Sequence, residues 1–327
     1  MPWTAVLFVL LSSSPARAAE TCLIAATEWR QDGSLHAGAT GPVFAQAAPS
    51  PELLAVEVGL TPGASAARVK VLDSVGAIEA WMPLSELRVR VDQPMRFADD
   101  TLYLGQADLA VLEVTGGEVK VAPFELPSWL RAQGSLSATL PCSALGLVES
   151  WRGDLRTAAV GQAPRGERVF LSADDTVPVS RIPGTSPAIR LSLAAPLPVE
   201  QLSSEVEAVR VLAPLTGMLL VGWVPKESLA KGVDGGRSPE PEVAEPTPSA
   251  EVPPLVRCKK ELPLWASTEG GEFQIGTLTA GVRVALGEKV GDRLPVLAIP
   301  DARAWTPVAG AGLSVPEKDT KGCKAAE

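Results

Sequence analysis

The sequence predicts an all-β protein built from tandem small modules, and three observations carry that prediction. One phrase recurs: "AWMPLSEL" at 80–87 returns as "GWVPKESL" at 222–229, as "AWTPVAGAGL" at 304–313 and, weakened, as "ATLPCSAL" at 138–145. Short apolar runs alternate with turns carrying Gly, Pro or Asp, a spacing that favours sandwiches and barrels over α/β folds. Helical periodicity is scarce, with "VEQLSSEVEAV" (199–209) the best candidate for a turn or two of helix.

The recurring ending has company upstream. "RVKVLDSVGAIEAWMP" (68–83), "RVLAPLTGMLLVGWVP" (210–225) and "RLPVLAIPDARAWTP" (293–307) each open on Arg, pass through a turn and close on Trp-x-Pro. Arg and Trp stand thirteen residues apart in the first two and twelve in the third. Each segment is therefore expected to be a hairpin. Trp81, Trp223 and Trp305 are expected to bury a ring at a strand end, and the Pro two residues later removes a donor and stops the ladder. Leu87, Leu229 and Leu313 follow as apolar plugs, and Thr139 takes the Trp position in the second copy.

The N-terminus reads as an export signal: "TAVLFVLL" (4–11) is apolar and "ARA" (16–18) offers cleavage after Ala18. An apolar stretch of this length is too short for a transmembrane helix, which needs about 20 residues. The mature protein is accordingly expected to be secreted or periplasmic. Four cysteines remain, Cys22, Cys142, Cys258 and Cys323. In an exported chain an even count suggests disulfides, and position suggests Cys22–Cys142 and Cys258–Cys323, each worth roughly 4 kcal/mol by loop entropy.

The clearest boundary is "KGVDGGRSPEPEVAEPTPSAEVPPL" (231–255), whose interleaved Pro and Glu cannot pack a core. The expected organisation is a signal peptide (1–18), an N-terminal segment (19–37), modules at 38–89, 90–148 (degraded) and 149–230, a disordered linker (231–256) and a last module (257–327). In the last one, "LPLWAS" (262–267), "FQIGTLTAGVRVALG" (273–287) and "LPVLAI" (294–299) supply the strands before the Trp segment.

With 327 residues and 46% hydrophobic content the chain has ample material for a core. A net charge of −9 with no long basic run argues against nucleic acid and anionic membrane surfaces as partners. Catalytic signatures are missing. His36 is the only histidine, so a Ser or Cys nucleophile lacks a choice of base. No P-loop, GxSxG or GxGxxG occurs, no zinc spacing is present, and no cofactor is implied. "RFADDT" (96–101) and "VFLSADDT" (169–176) share adjacent carboxylates, Asp99/Asp100 and Asp174/Asp175. They do not continue into a calcium loop and read as turn residues.

The segment 262–313, with "LPLWAS", "IGTLTAGVRVAL" and Ala304-Trp305-Thr306-Pro307, resembles a bacterial Src homology 3-like module, and "RVLAPLTGMLLVGWVPKESL" (210–229) is similar to that family's Gly-Trp-Val ending. The resemblance implies small five-stranded barrels in tandem, non-catalytic, of a kind often used for targeting or spacing at the envelope. Some relatives take cell-wall peptides. The expected function is then binding or scaffolding at the cell envelope, with peptidoglycan or an envelope protein as partner and the tethered last module as the free recognition unit. Trp81, Trp223, Trp265 and Trp305 are the candidate aromatics, as ligand platforms or as core. The alternatives are a purely structural periplasmic repeat protein and, further off, a carboxylate-dependent wall hydrolase in which Asp99/Asp100 and Asp174/Asp175 face one cleft.

Overall fold

A computed structural model describes residues 22–51, 53–91, 93–105, 108–124, 126, 130–132, 136–148, 153–173, 176–215, 218–230, 254–268, 271–308, 310 and 312–326. The expected signal segment, most of the Pro/Glu-rich stretch and Asp174/Asp175 lie outside them. The chain is all-β, its strands arranged in several sheets, none closed.

Four successive sets of strands repeat one pairing order. The first set holds β1 (Cys22–Ala26), β2 (Gly33–His36), β3 (Val43–Ala47), β4 (Ala55–Leu60), β5 (Ala66–Asp73) and β6 (Gly76–Pro83). The second holds β7 (Arg88–Val91), β8 (Met95–Phe97), β9 (Leu102–Leu104), β10 (Leu109–Thr115), β11 (Glu118–Pro123), β12 (Leu130–Ala132), β13 (Ala138–Pro141) and β14 (Leu145–Gly146). After helix α1 (Leu155–Val160), capped by Asp154, the third holds β15 (Glu167–Leu171), β16 (Val177–Val179), β17 (Ile189–Leu191), β18 (Leu197–Ser204), β19 (Ala208–Leu215) and β20 (Met218–Pro225). The fourth holds β21 (Leu255–Arg257), β22 (Leu262–Thr268), β23 (Gly271–Leu278), β24 (Arg283–Leu286), β25 (Arg293–Ala298), β26 (Trp305–Pro307), β27 (Leu313–Pro316) and β28 (Lys324–Ala325).

In each set the opening strand pairs with the first of a three-strand meander: β1 with β4–β5–β6, β7 with β10–β11–β13, β15 with β18–β19–β20, and β21 with β24–β25–β27. Between opening strand and meander lies an antiparallel hairpin: β2/β3, β8/β9, β16/β17 or β22/β23. The meander ends on proline. Pro141, Pro225 and Pro316 stand at φ −64°, −59° and −64° and each leads into a 3-10 turn, Cys142–Ala144, Lys226–Ser228 or Glu317–Thr320. A fixed φ near −65° suits that bend, and the missing donor ends the ladder. After Pro83 a tight turn does the same work, with Leu87 N donating to the Pro83 carbonyl at 3.2 Å.

The chain then returns to its opening strand through β14 on β7, a Leu229–Leu171 bridge, or β28 on β21. The first set closes differently. Its return strand is β7, which straddles the boundary expected at 89/90 and also opens the second set. There the side chain of Gln31 imitates a strand partner: Nε2 donates to Arg88 O at 3.1 Å and Oε1 accepts from Arg88 N at 2.7 Å.

Three expectations need correction. The segment 199–209 is strand, in β18 and the start of β19, because partners on both sides outweigh a weak helical period. The hairpins at 68–83 and 210–225 are present, with Arg68 opposite Trp81 and Arg210 opposite Trp223, but 293–307 is not one. β25 pairs with β24 and β27, while Trp305–Pro307 lies within an insertion, residues 299–312. The true ending of the fourth meander is Ser314-Val315-Pro316. Finally, Trp81 and Trp223 are half-buried on outward faces, and Met82 and Val224 take the inward positions.

The fourth set is not a free appendage. Leu278, Thr277 and Gly276 of β23 pair with Gly76, Ala77 and Ile78 of β6. Trp305, Thr306 and Pro307 of β26 pair with Ala47, Gln46 and Ala45 of β3. The second and third sets meet by the same geometry. β9 of the second pairs with Met218, Leu219 and Leu220, the first three residues of β20. β12, which begins eleven residues before Pro141 as β26 does before Pro316, pairs with the last three residues of β17. Sets one and three thus receive, and sets four and two dock, in one register. A single apolar cluster, including Trp29, Phe44, Leu104, Leu171, Leu264 and Trp305, runs through all four.

The seam between sets one and four buries one carboxylate. Asp73 is 3% exposed and its Oδ1 accepts from the backbone N–H of Val75 (2.9 Å) and Gly76 (3.2 Å). Burial raises its pKa above the usual 3.8, against the smaller opposing pull of the Val75, Arg303, Gly76 and Ala304 backbone N–H groups, although Oδ2 makes no well-formed hydrogen bond. A folded pKa above the unfolded one means the folded state holds the proton more tightly. This group's contribution is fully present below pH 3.8 and is lost as pH rises through the raised folded value. Asp73→Asn should remove that dependence, so urea titrations should show the variant's advantage over wild type growing from pH 4 to pH 7. An advantage that shrinks over this range would contradict the assignment.

Candidate functional site

The most developed concavity described lies on the third set, around Trp223. Its volume is about 730 Å³, within the range of ligand pockets. One wall is the β16/β17 hairpin with Pro178, Ser180, Pro183, Thr185, Pro187 and Arg190; the other is the β18–β19 turn with Val206 and Glu207. Pro225, Lys226 and Glu227 close the end, and the indole of Trp223 lies between.

Local sequence explains the shape. Ser180 and Trp223 exchange backbone hydrogen bonds at 2.9 and 2.8 Å, which seats the hairpin beside β20. Gly222 permits this approach, since a Cβ there would strike Val179 Cγ1 and lie 3.0 Å from Ser180 O. That is a physical reason for Gly before Trp. Within the hairpin loop, Ser180 Oγ donates to Thr185 O at 3.1 Å and Thr185 Oγ1 to Ile182 O at 2.8 Å, holding the wall in shape. Val206 stands 90% exposed on the opposite rim. The groove therefore offers an aromatic face, four prolines and mixed charge, with Arg190 and Lys226 against Glu207 and Glu227. It can take an extended, partly apolar segment with polar ends. It holds no nucleophile–base pair.

The equivalent place in the other sets is filled differently. In the first set Trp81 lies opposite His36, whose Nδ1 donates to Gly41 O at 2.7 Å. In the fourth the pair is reversed: Ser314 stands in the meander and Trp265 in the hairpin, directly opposite. The Arg293 guanidinium stacks on Trp265 at 4.4 Å and its Nη2 bonds Glu272 at 2.7 Å, covering the ring. Trp265 Nε1 is buried there without a hydrogen-bond partner. Trp305 is elsewhere, 1% exposed against the first set.

The structure joins Cys22 to Cys142 and Cys258 to Cys323. The two bonds point to a non-cytoplasmic location. Asp99 and Asp100 sit in the β8–β9 turn with Ala98, all three at positive φ (51°, 60° and 48°), and Thr101 N and Oγ1 both donate to Ala98 O. Asp100 pairs with Arg181 at 3.2 Å. Among the described residues no group of three His, Cys, Asp or Glu could hold a metal, and no helix is long and apolar enough to cross a membrane. Sequence reasoning missed Trp29, 1% exposed in the first set, and the ladder-like Gln31. Neither belongs to the recurring phrase that guided the reading. No protein-family model matches the chain, and no curated protein matches it either.

Proposed function

We propose that the chain is an exported, non-enzymatic protein of four Src homology 3-like modules that binds at the cell envelope through the groove of its third module. The module assignment is supported by the order of opening strand, hairpin and meander shared by all four sets, and by the 3-10 turn and return pairing of the last three. The function rests on one observation: the half-exposed Trp223 set among Pro178, Pro183, Pro187 and Pro225 in a formed groove. An aromatic floor with polar rims suits an extended peptide, because flat rings give contact area at little entropy cost. The ligand class is a wall-derived or protein-borne peptide of the envelope. The fourth module, its Trp265 covered and its β23 and β26 paired with the first, is the weaker candidate.

Pulldown of the mature chain on purified peptidoglycan and on envelope protein extract tests this. Retention by either should fall at least about tenfold in Trp223→Ala, since central aromatics carry much of the energy in such contacts. Folding should lose less than about 2 kcal/mol, because the ring is only half-buried. Equal retention of variant and wild type would reject the groove.

A further inference from the structure

The seam between the first and fourth sets has an unusual covalent setting. Cys22–Cys142 ties the first set to the second, while Cys258–Cys323 lies wholly inside the fourth. Among the described residues, the fourth meets the rest through the seam, and the chain through 231–253 connects it. The seam is built on backbone edges, namely two three-residue strand pairings, Ala48 N to Ala304 O at 2.8 Å, Val308 N to Phe44 O at 3.0 Å, and Thr279 N to Val75 O at 2.8 Å. It also holds the Thr279 hydroxyl on Ser74 O at 3.2 Å, the buried Trp305 ring and Asp73. The same register recurs between the second and third sets, where the connecting chain carries α1 and Asp100–Arg181 adds an ion pair. The receiving face of the first set is therefore specific for a docking set and blind to which molecule supplies it.

We propose that this face also receives the fourth set of a second copy of the chain, so that two molecules exchange fourth sets in a reciprocal dimer. Every seam contact made in one chain is remade in the dimer, so exchange leaves the contact energy unchanged. The balance is set by concentration. A tethered set sees its own partner at an effective concentration of order millimolar, so dilute chains close on themselves and crowded ones pair. The connecting stretch 231–253 has a contour of about 80 Å at most.

Ala77 and Thr277 face one another across the seam. All native cysteines are in disulfides, so a short bismaleimide would react with introduced thiols. Full-length A77C and T277C, mixed at high concentration, should give a covalent dimer. Its yield should exceed by about tenfold that from T277C mixed with E113C, whose thiol sits exposed on β10, and should rise with concentration. Equal yields from the two mixtures, with the A77C/T277C double variant cross-linking only within one chain, would overturn the exchange. Failure of the double variant to cross-link in either way would remove the seam and the proposal with it.

Discussion

Gly276→Val should release the fourth set from the first. Gly276 faces Ile78 across the seam, and a Cβ there would fall on the Ala77 carbonyl oxygen and within 2.9 Å of Ile78 Cα. Gly76 makes the reciprocal approach, where a Cβ would meet the Thr277 carbonyl oxygen, and it also holds φ +146°. Both obstacles are backbone, which cannot swing aside, so the strands must separate. Overpacking and lost ladder bonds together should cost roughly 3 kcal/mol or more. The fourth set keeps its own disulfide and its own meander. Calorimetry should therefore resolve a lower-melting transition that splits from the main one. A single unchanged transition would show that Gly276 does not lie against Ala77 and Ile78.

Trp305→Ala should be comparably severe, by a different route. The ring is 1% exposed within the shared apolar cluster, and its backbone pairs with Ala47 of the first set. Deleting a fully buried indole costs about 3–5 kcal/mol through lost transfer energy and the cavity left behind. Trp305→Phe should recover a large part of that, because most of the volume returns. Urea unfolding followed by circular dichroism gives the comparison. A loss below about 1 kcal/mol for the alanine variant would mean that the site collapses around the gap.

The sequence carried the local grammar well and the assembly hardly at all. The hairpins at 68–83 and 210–225, the buried Leu87 and the strand-ending prolines Pro83 and Pro225 could be read because each depends on residues close in the chain. The disulfides followed from order along the chain. Trp305 misled because Trp-Thr-Pro imitates the recurring ending within an inserted segment, whereas the true ending, Ser314-Val315-Pro316, has exchanged its Trp for a Ser and placed Trp265 across from it. The seam was invisible for a simpler reason. Strand edges join through backbone groups that every residue has, so the contact is recorded by little beyond Gly76, Gly276 and the buried Trp305, whose place the recurring phrase disguised. The groove was half visible: Trp223 was named, but Pro178, Pro183 and Pro187 come from one stretch and Val206 from another, and only the fold brings them to it.

The most direct test of the account is an amide chemical-shift titration of the isotope-labelled mature chain with soluble peptidoglycan stem peptides, repeated with peptides from any envelope protein the pulldown retains. The account predicts shifts concentrated in 178–190, 206–208 and 223–227, saturating together and absent in Trp223→Ala. Shifts centred instead on Trp265 and Arg293 of the fourth set, or no shifts with a ligand that the pulldown retains, would contradict it.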